Sequence, residues 1–202
     1  FYECYGIDGM RALDATVDYI RTKYPEIFLI ADAKRGDIGN TAKMYAKAFF
    51  EEMDFDAVTI APYMGADSVT PFLEYKDKWA IVLALTSNAS AYQFQNAQKD
   101  GKPLYQAVME EMMEISTPDN MMFVVGATKA DKLQELRSFC PDNFFLVPGV
   151  GAQGGSAEEV IAHGSNDHGG LLINSSRGIL FADHTENYAK VAAEVAAKTA
   201  NL

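Results

Sequence analysis

Phe28-Leu-Ile-Ala-Asp32-Ala-Lys34-Arg-Gly-Asp37-Ile38 opens on a run of apolar residues and closes on charge. A run that is apolar at consecutive rather than alternate positions reads as a parallel β-strand buried on both faces, here Phe28–Lys34. Five more runs of this kind follow, at Ala57–Ala61, Ala80–Leu85, Met121–Gly126, Phe144–Pro148 and Gly170–Asn174. Between them, apolar residues recur at helical spacing. Met10, Leu13, Val17, Ile20 and Tyr24 share one face, and Ala42, Tyr45, Ala46, Phe49 and Met53 another. Leu104, Val108, Met112 and Ile115 form a third stripe, with Pro103 suited to a first helical turn. Leu133 with Leu136, Val160 with Ile161, and Val191 with Val195 mark three further helices. Strand and helix in alternation leave two parallel architectures, a doubly wound open sheet and a (β/α)8 barrel. Six strands are visible where a barrel needs eight, and Phe1–Gly6 reads as the exit of an earlier strand. The expectation is therefore one domain over residues 1–202 in either architecture, with up to two further strands upstream if it is a barrel. Thr86–Lys102, the longest irregular stretch, follows a strand and is a candidate lid.

Charge and composition narrow the function. Seventeen basic residues against 28 acidic ones leave a net charge of −11. The mean field of such a chain repels phosphate polymers, so nucleic acid and anionic membranes are not expected partners. Cys4 and Cys140 are the only cysteines, too few for a disulfide framework or a cysteine zinc site. With no recognisable leader, they point to a reducing cytoplasm. Apolar runs such as Met121 to Ala127 fall far short of the ~18 residues that span a bilayer.

Three polar groups stand at predicted strand ends. Asp32 and Lys34, two apart on a strand, emerge side by side, and Asp37 follows beyond it. Two carboxylates flanking one ammonium hold it protonated, and such a Lys can donate a proton to a carbon. A structural ion pair is the alternative, but charge at the C-terminal end of a parallel strand points to a ligand. The second group is Pro148-Gly149-Val-Gly151-Ala-Gln153-Gly154-Gly155-Ser156. Gly149, Gly151 and Gly154 fit a dinucleotide fingerprint, yet Asn174 stands about twenty residues on, where that motif needs an acid. A phosphate cradle before a helix near Ser156 fits better. The next strand ends Asn174-Ser-Ser-Arg177-Gly178, where an Arg fork could bind the same phosphate. The third group, Thr86-Ser87-Asn88, is suited to a polar ring edge and equally to a turn. His163, His168 and His184 lack zinc spacing, and Ser175 and Ser176 lack a nucleophile elbow.

Asp32-Ala-Lys34-Arg-Gly-Asp37-Ile38 resembles the D-x-K-x-x-D-I hallmark of the orotidine 5′-phosphate decarboxylase family. The similarity extends to Asp32–Tyr45, Ala61–Gly65, Leu85–Asn88, Pro148–Gly155 and Asn174–Gly178, and is greatest to the branch with longer chains, common in bacteria. It implies a (β/α)8 barrel, a homodimer with shared active sites, and conversion of orotidine 5′-phosphate to UMP without metal or organic cofactor. By the same resemblance Asp32 sits against the substrate carboxylate and Lys34 protonates C6 as CO2 leaves. Asp37 and Thr41 reach into the partner subunit's site. Ser87 contacts the pyrimidine edge, and Gln153 and Arg177, with the Gly178 region, bind the phosphate. The family's network also uses an Asp on the first strand and a Lys on the second, both before Phe1 in this numbering. Two alternatives carry over: a Mg²⁺-dependent 3-keto-gulonate-6-phosphate decarboxylase or hexulose-phosphate synthase relative, which shares D-x-K-x-x-D, and a catalytically silent barrel that binds a phosphate ligand.

Overall fold

All six apolar runs form strands in the computed structural model, which describes residues 1–126, 130–149 and 156–200. The chain divides into two compact units, Phe1–Val82 and Leu83–Leu202.

The first unit starts with a 3-10 turn, Tyr2–Tyr5, that leads directly into α1, Gly6–Lys23. The segment expected to be a strand exit is thus the approach to a helix. Glycine at position 6 takes φ 61 there, a conformation its missing Cβ permits. Val17 is the buried residue at the middle of the anticipated stripe, while Tyr24 lies past the helix and is exposed. Three parallel strands follow: β1 (Ile30–Arg35), β2 (Ala57–Ile60) and the start of β3 (Trp79–Leu85), which continues into the second unit. β2 is buried at every position, as a strand covered on both faces must be. Between β1 and β2 lies α2, Gly39–Lys47, extended by a π-type turn at Ala48–Glu52. The wider turn buries Phe49 and Phe50 together, and Phe50 meets Phe72 of α3 (Thr70–Leu73) edge-on at 6.2 Å. Arg35 fastens this unit from the other side. Its guanidinium pairs with Glu3 and lies over the rings of Tyr45 and Phe49, at 5.6 and 5.4 Å.

In the second unit the end of β3 is followed by a small antiparallel hairpin, β4 (Gln98–Lys99) and β5 (Lys102–Pro103). Sequence reading left this part of the chain irregular. The turn between the strands is Asp100-Gly101, both at positive φ (55 and 82), as a two-residue hairpin requires. α4, Leu104–Glu114, begins one residue after Pro103. It buries Tyr105, Ala107, Met109 and Met112, so its core face is rotated from the expected stripe, and Ile115 lies beyond the helix and exposed. The parallel strands β6 (Met121–Val125), β7 (Phe145–Pro148) and β8 (Leu171–Asn174) alternate with α5 (Ala130–Phe139) and α6 (Ala157–Gly164). Leu133, Leu136 and Val160 are buried as their spacing implied. α7, Arg177–Leu180, and α8, Tyr188–Ala200, follow, with Val191 and Val195 only half-buried. Among the described residues no helix is long and apolar enough to cross a membrane.

Candidate active site

The strand that carries Asp32 and Lys34 is not regular. Ile30 and Ala31 pair with Ala57 and Val58, but the next pair is Arg35 with Ile60, so Asp32, Ala33 and Lys34 together stand opposite the single Thr59. Lys34 sits at φ 46, in the left-handed region that costs a non-glycine residue about 1–3 kcal/mol. This bulge turns the two side chains onto one another. Lys34 Nζ donates to Asp32 Oδ1 at 2.5 Å, and both side chains remain about half exposed, 52% and 53%. An ion pair that open to water stabilises a fold by no more than about 1 kcal/mol. The pair does not offset the backbone strain at Lys34, and strain of this kind clusters at functional sites.

Asp37 does not complete a second flank on the ammonium. Its Oδ1 accepts the N–H of Ile38 at 2.8 Å, and among the described residues the one carboxylate paired with Lys34 is Asp32. Of the two carboxylates expected to flank the ammonium, this chain brings Asp32 to it and not its own Asp37. An Asp just before a helix finds main-chain N–H groups closer than an ammonium three residues back. Thr41, in the first turn of α2, is exposed. The residue that sequence reading missed is Thr59, fully buried on β2, whose Oγ1 lies 3.0 Å from Asp32 Oδ1 and accepts the N–H of Lys34 at 2.9 Å. Its only signal was one hydroxyl in an otherwise apolar run.

The second unit holds the remaining candidates. Ser87 follows β3, where Gly126 N–H donates to Leu85 O at 2.7 Å. A Cβ at position 126 would lie 2.6 Å from Ser87 N, so only glycine lets the strand end come this close. The adjoining Thr86 is tied to Gln95 twice, through its N–H to Oε1 (2.8 Å) and from Nε2 to its Oγ1 (2.7 Å). That reciprocal pair fixes both ends of a short loop around Ser87 and Asn88. Gly149, at φ 83, starts the glycine loop after β7, while Gln153, Gly151 and Gly154 lie outside the described residues. At the far side of that loop Ser156 caps α6, its Oγ accepting the N–H of Glu159 at 3.0 Å. After β8, Ser176 Oγ donates to Asn174 Oδ1 at 3.1 Å, and Arg177 opens α7 with its side chain exposed. A Cβ on Gly178 would lie 2.8 Å from Ser175 Oγ. Cys140, by contrast, is buried, and desolvation pushes its thiol up to about 11, so it is no nucleophile near neutral pH.

Residues 2–192 match the family model described as the Orotidine 5'-phosphate decarboxylase / HUMPS family. The chain belongs to this family. Curated relatives named orotidine 5'-phosphate decarboxylase include one from Christiangramia forsetii, 55% identical over 95% of this chain and 71% of its own length. Another, from Phocaeicola vulgatus, is 54% identical over 98% of this chain and 73% of its own. Among solved structures, the OMP decarboxylase of Leishmania donovani superposes with a TM-score of 0.83 at 36% identity, covering 96% of this chain and 74% of that one. The UMP synthase of the same organism matches at a TM-score of 0.84 and 38% identity, over 98% of this chain and 44% of its own. The (β/α)8 barrel is the fold of these neighbours, and the six parallel strands of this orotidine 5′-phosphate decarboxylase family member are barrel strands. Lys34 lies one residue before the end of β1, and Ser87 and Arg177 lie two and three residues past the ends of β3 and β8; in barrel enzymes generally the C-terminal strand ends carry the chemistry.

Proposed function

We propose that this protein decarboxylates orotidine 5′-phosphate to UMP, the last step of pyrimidine synthesis, with Lys34 as the proton donor and without metal or organic cofactor. The observation that carries the reading is the Asp32–Lys34 pair, 2.5 Å apart and half open to solvent on a strained strand end. In this reading the substrate carboxylate lies against Asp32. The C6–carboxylate bond breaks, CO2 leaves, and the electron pair left on C6 takes a proton from Lys34 Nζ, which solvent later restores. Fixed charge around a developing carbanion replaces the electron sink that a cofactor would supply. Ser87 reads the pyrimidine edge. Gln153, Arg177 and the Gly178 region hold the phosphate, whose binding energy can be used to close the loop over the ring.

Asp37 and Thr41 take part in the site of a partner subunit in a homodimer. In support, Asp37 is turned from Lys34 toward its own helix, and the same unit exposes the apolar side chains of Ile38, Met44, Tyr63 and Met64. We place the protein in the cytoplasm, as the low cysteine count suggests.

The test is the ultraviolet absorbance of orotidine 5′-phosphate mixed with the purified protein in excess EDTA. Conversion to UMP at a rate indifferent to EDTA is expected. Turnover of a sugar phosphate that appears only when Mg²⁺ is added would replace the reading with the Mg²⁺-dependent relative, and nucleotide binding without turnover would leave a silent barrel. The names of the relatives, at 51–55% identity, favour neither alternative.

A further inference from the structure

We propose that Thr59 is a positioning residue for the proton donor, its hydroxyl bridging the Asp32 carboxylate and the Lys34 main chain; this rests on the reading of Asp32 and Lys34 given above. Thr59 has no exposed surface, so its hydroxyl must find partners inside the protein. As acceptor it takes the Lys34 N–H at 2.9 Å, a donor that the bulge removes from the strand ladder. As donor it has two choices, Ala31 O at 3.5 Å and Asp32 Oδ1 at 3.0 Å, and the shorter contact is to the carboxylate. The same Oδ1 receives Lys34 Nζ, so a closed circuit runs from the Lys34 main chain through Thr59 and Asp32 back to the Lys34 side chain. All described contacts of the carboxylate fall on Oδ1, which orients Oδ2 away from them.

Two consequences follow from that circuit. The rotamer of Asp32 is set from the neighbouring strand rather than by the flexible lysine. The left-handed backbone of Lys34 is held by a bond to a rigid β-branched side chain, buried at mid-strand, so the ammonium leaves the strand in one direction. Loss of the hydroxyl frees both.

The test compares Thr59→Val, which keeps the shape and removes the hydroxyl, with Thr59→Ser, which keeps the hydroxyl, in the full-length protein. For Thr59→Val, kcat on orotidine 5′-phosphate is expected to fall about 10–100-fold with KM changed less than about threefold, as for displaced catalytic groups. Thr59→Ser is expected to recover most of kcat. Amide exchange of Lys34 gives a readout independent of turnover, with protection lost in Thr59→Val and retained in Thr59→Ser. Wild-type kcat in Thr59→Val, beside an active wild-type protein, overturns the proposal. So does an equal loss in both variants that follows a lower melting temperature, because that is a packing defect. If the wild-type protein itself fails to turn over the nucleotide, the decarboxylase reading falls, and Lys34 exchange alone decides: unchanged protection in Thr59→Val overturns the bridge, and lost protection rescued by serine sustains it.

Discussion

Replacement of Lys34 by alanine is expected to lower decarboxylation by roughly 10²–10⁴-fold, the range over which a positioned acid contributes. UMP binding should remain measurable by titration, since the ammonium lies half exposed at the strand end and the phosphate contacts assigned to Gln153 and Arg177 are untouched. Wild-type turnover in the variant would remove Lys34 as proton donor. A companion experiment uses the position of Asp37. If Asp37 acts in the partner's site, mixing inactive Lys34→Ala with inactive Asp37→Ala subunits builds some sites that carry both native residues, and part of the activity returns. Mixtures that stay silent after subunit exchange would confine each site to one chain.

The second large effect concerns stability and is centred on Arg137. Its guanidinium, without an ion pair among the described residues, donates to five main-chain carbonyls: Gly164, Cys140, Pro141, Asn143 and Gly170, at 2.7–3.1 Å. It also lies 3.9 Å over the Phe145 ring at the start of β7. One side chain therefore joins the end of α5, the turn before β7, the end of α6 and the approach to β8. Burial lowers its basicity, but an arginine so surrounded by carbonyls keeps its proton. Alanine at this position leaves several partly buried carbonyls without donors, at about 1–3 kcal/mol for each that water cannot reach. The expected loss is ~3–5 kcal/mol, read as a melting temperature lower by roughly 6–20 °C. Lysine should recover little, because one ammonium cannot serve carbonyls spread over four segments. A shift of less than about 2 °C would mean that solvent substitutes for the guanidinium.

The strands were legible because burial on both faces writes itself as uninterrupted apolar runs: β2 and β6 are buried at every position, and all six runs match strands to within two residues. The helix phase of α4 was harder. Leu104, Val108 and Met112 compete with Tyr105, Met109 and Met112, both sets are apolar at helical spacing, and only packing selects the second. The β4–β5 hairpin had a readable signal in Asp100-Gly101, but its strands are two residues each, too short for periodicity to register. In the site, Asp32 and Lys34 could be placed side by side from their spacing alone. The bulge that brings them together could not, because it depends on Thr59, 25 residues away, opposing three residues of β1. Thr59 was invisible for the same reason, since threonine inside an apolar run looks like an ordinary strand former. Asp37 bonds a main-chain N–H within its own chain rather than the ammonium, a partner that no side-chain pattern announces.

The left-handed backbone at Lys34 also sets what heat resistance this protein can reach. Glycine adopts φ 46 without a Cβ conflict, whereas lysine and alanine both hold it under strain. Lys34→Gly is therefore expected to melt above Lys34→Ala by roughly 2–4 °C, about 1 kcal/mol of relief, with both inactive. If instead the two melt together, the strand end relaxes once the ammonium is gone. On the proposed role of Lys34, turnover and durability ask for different residues at this one position.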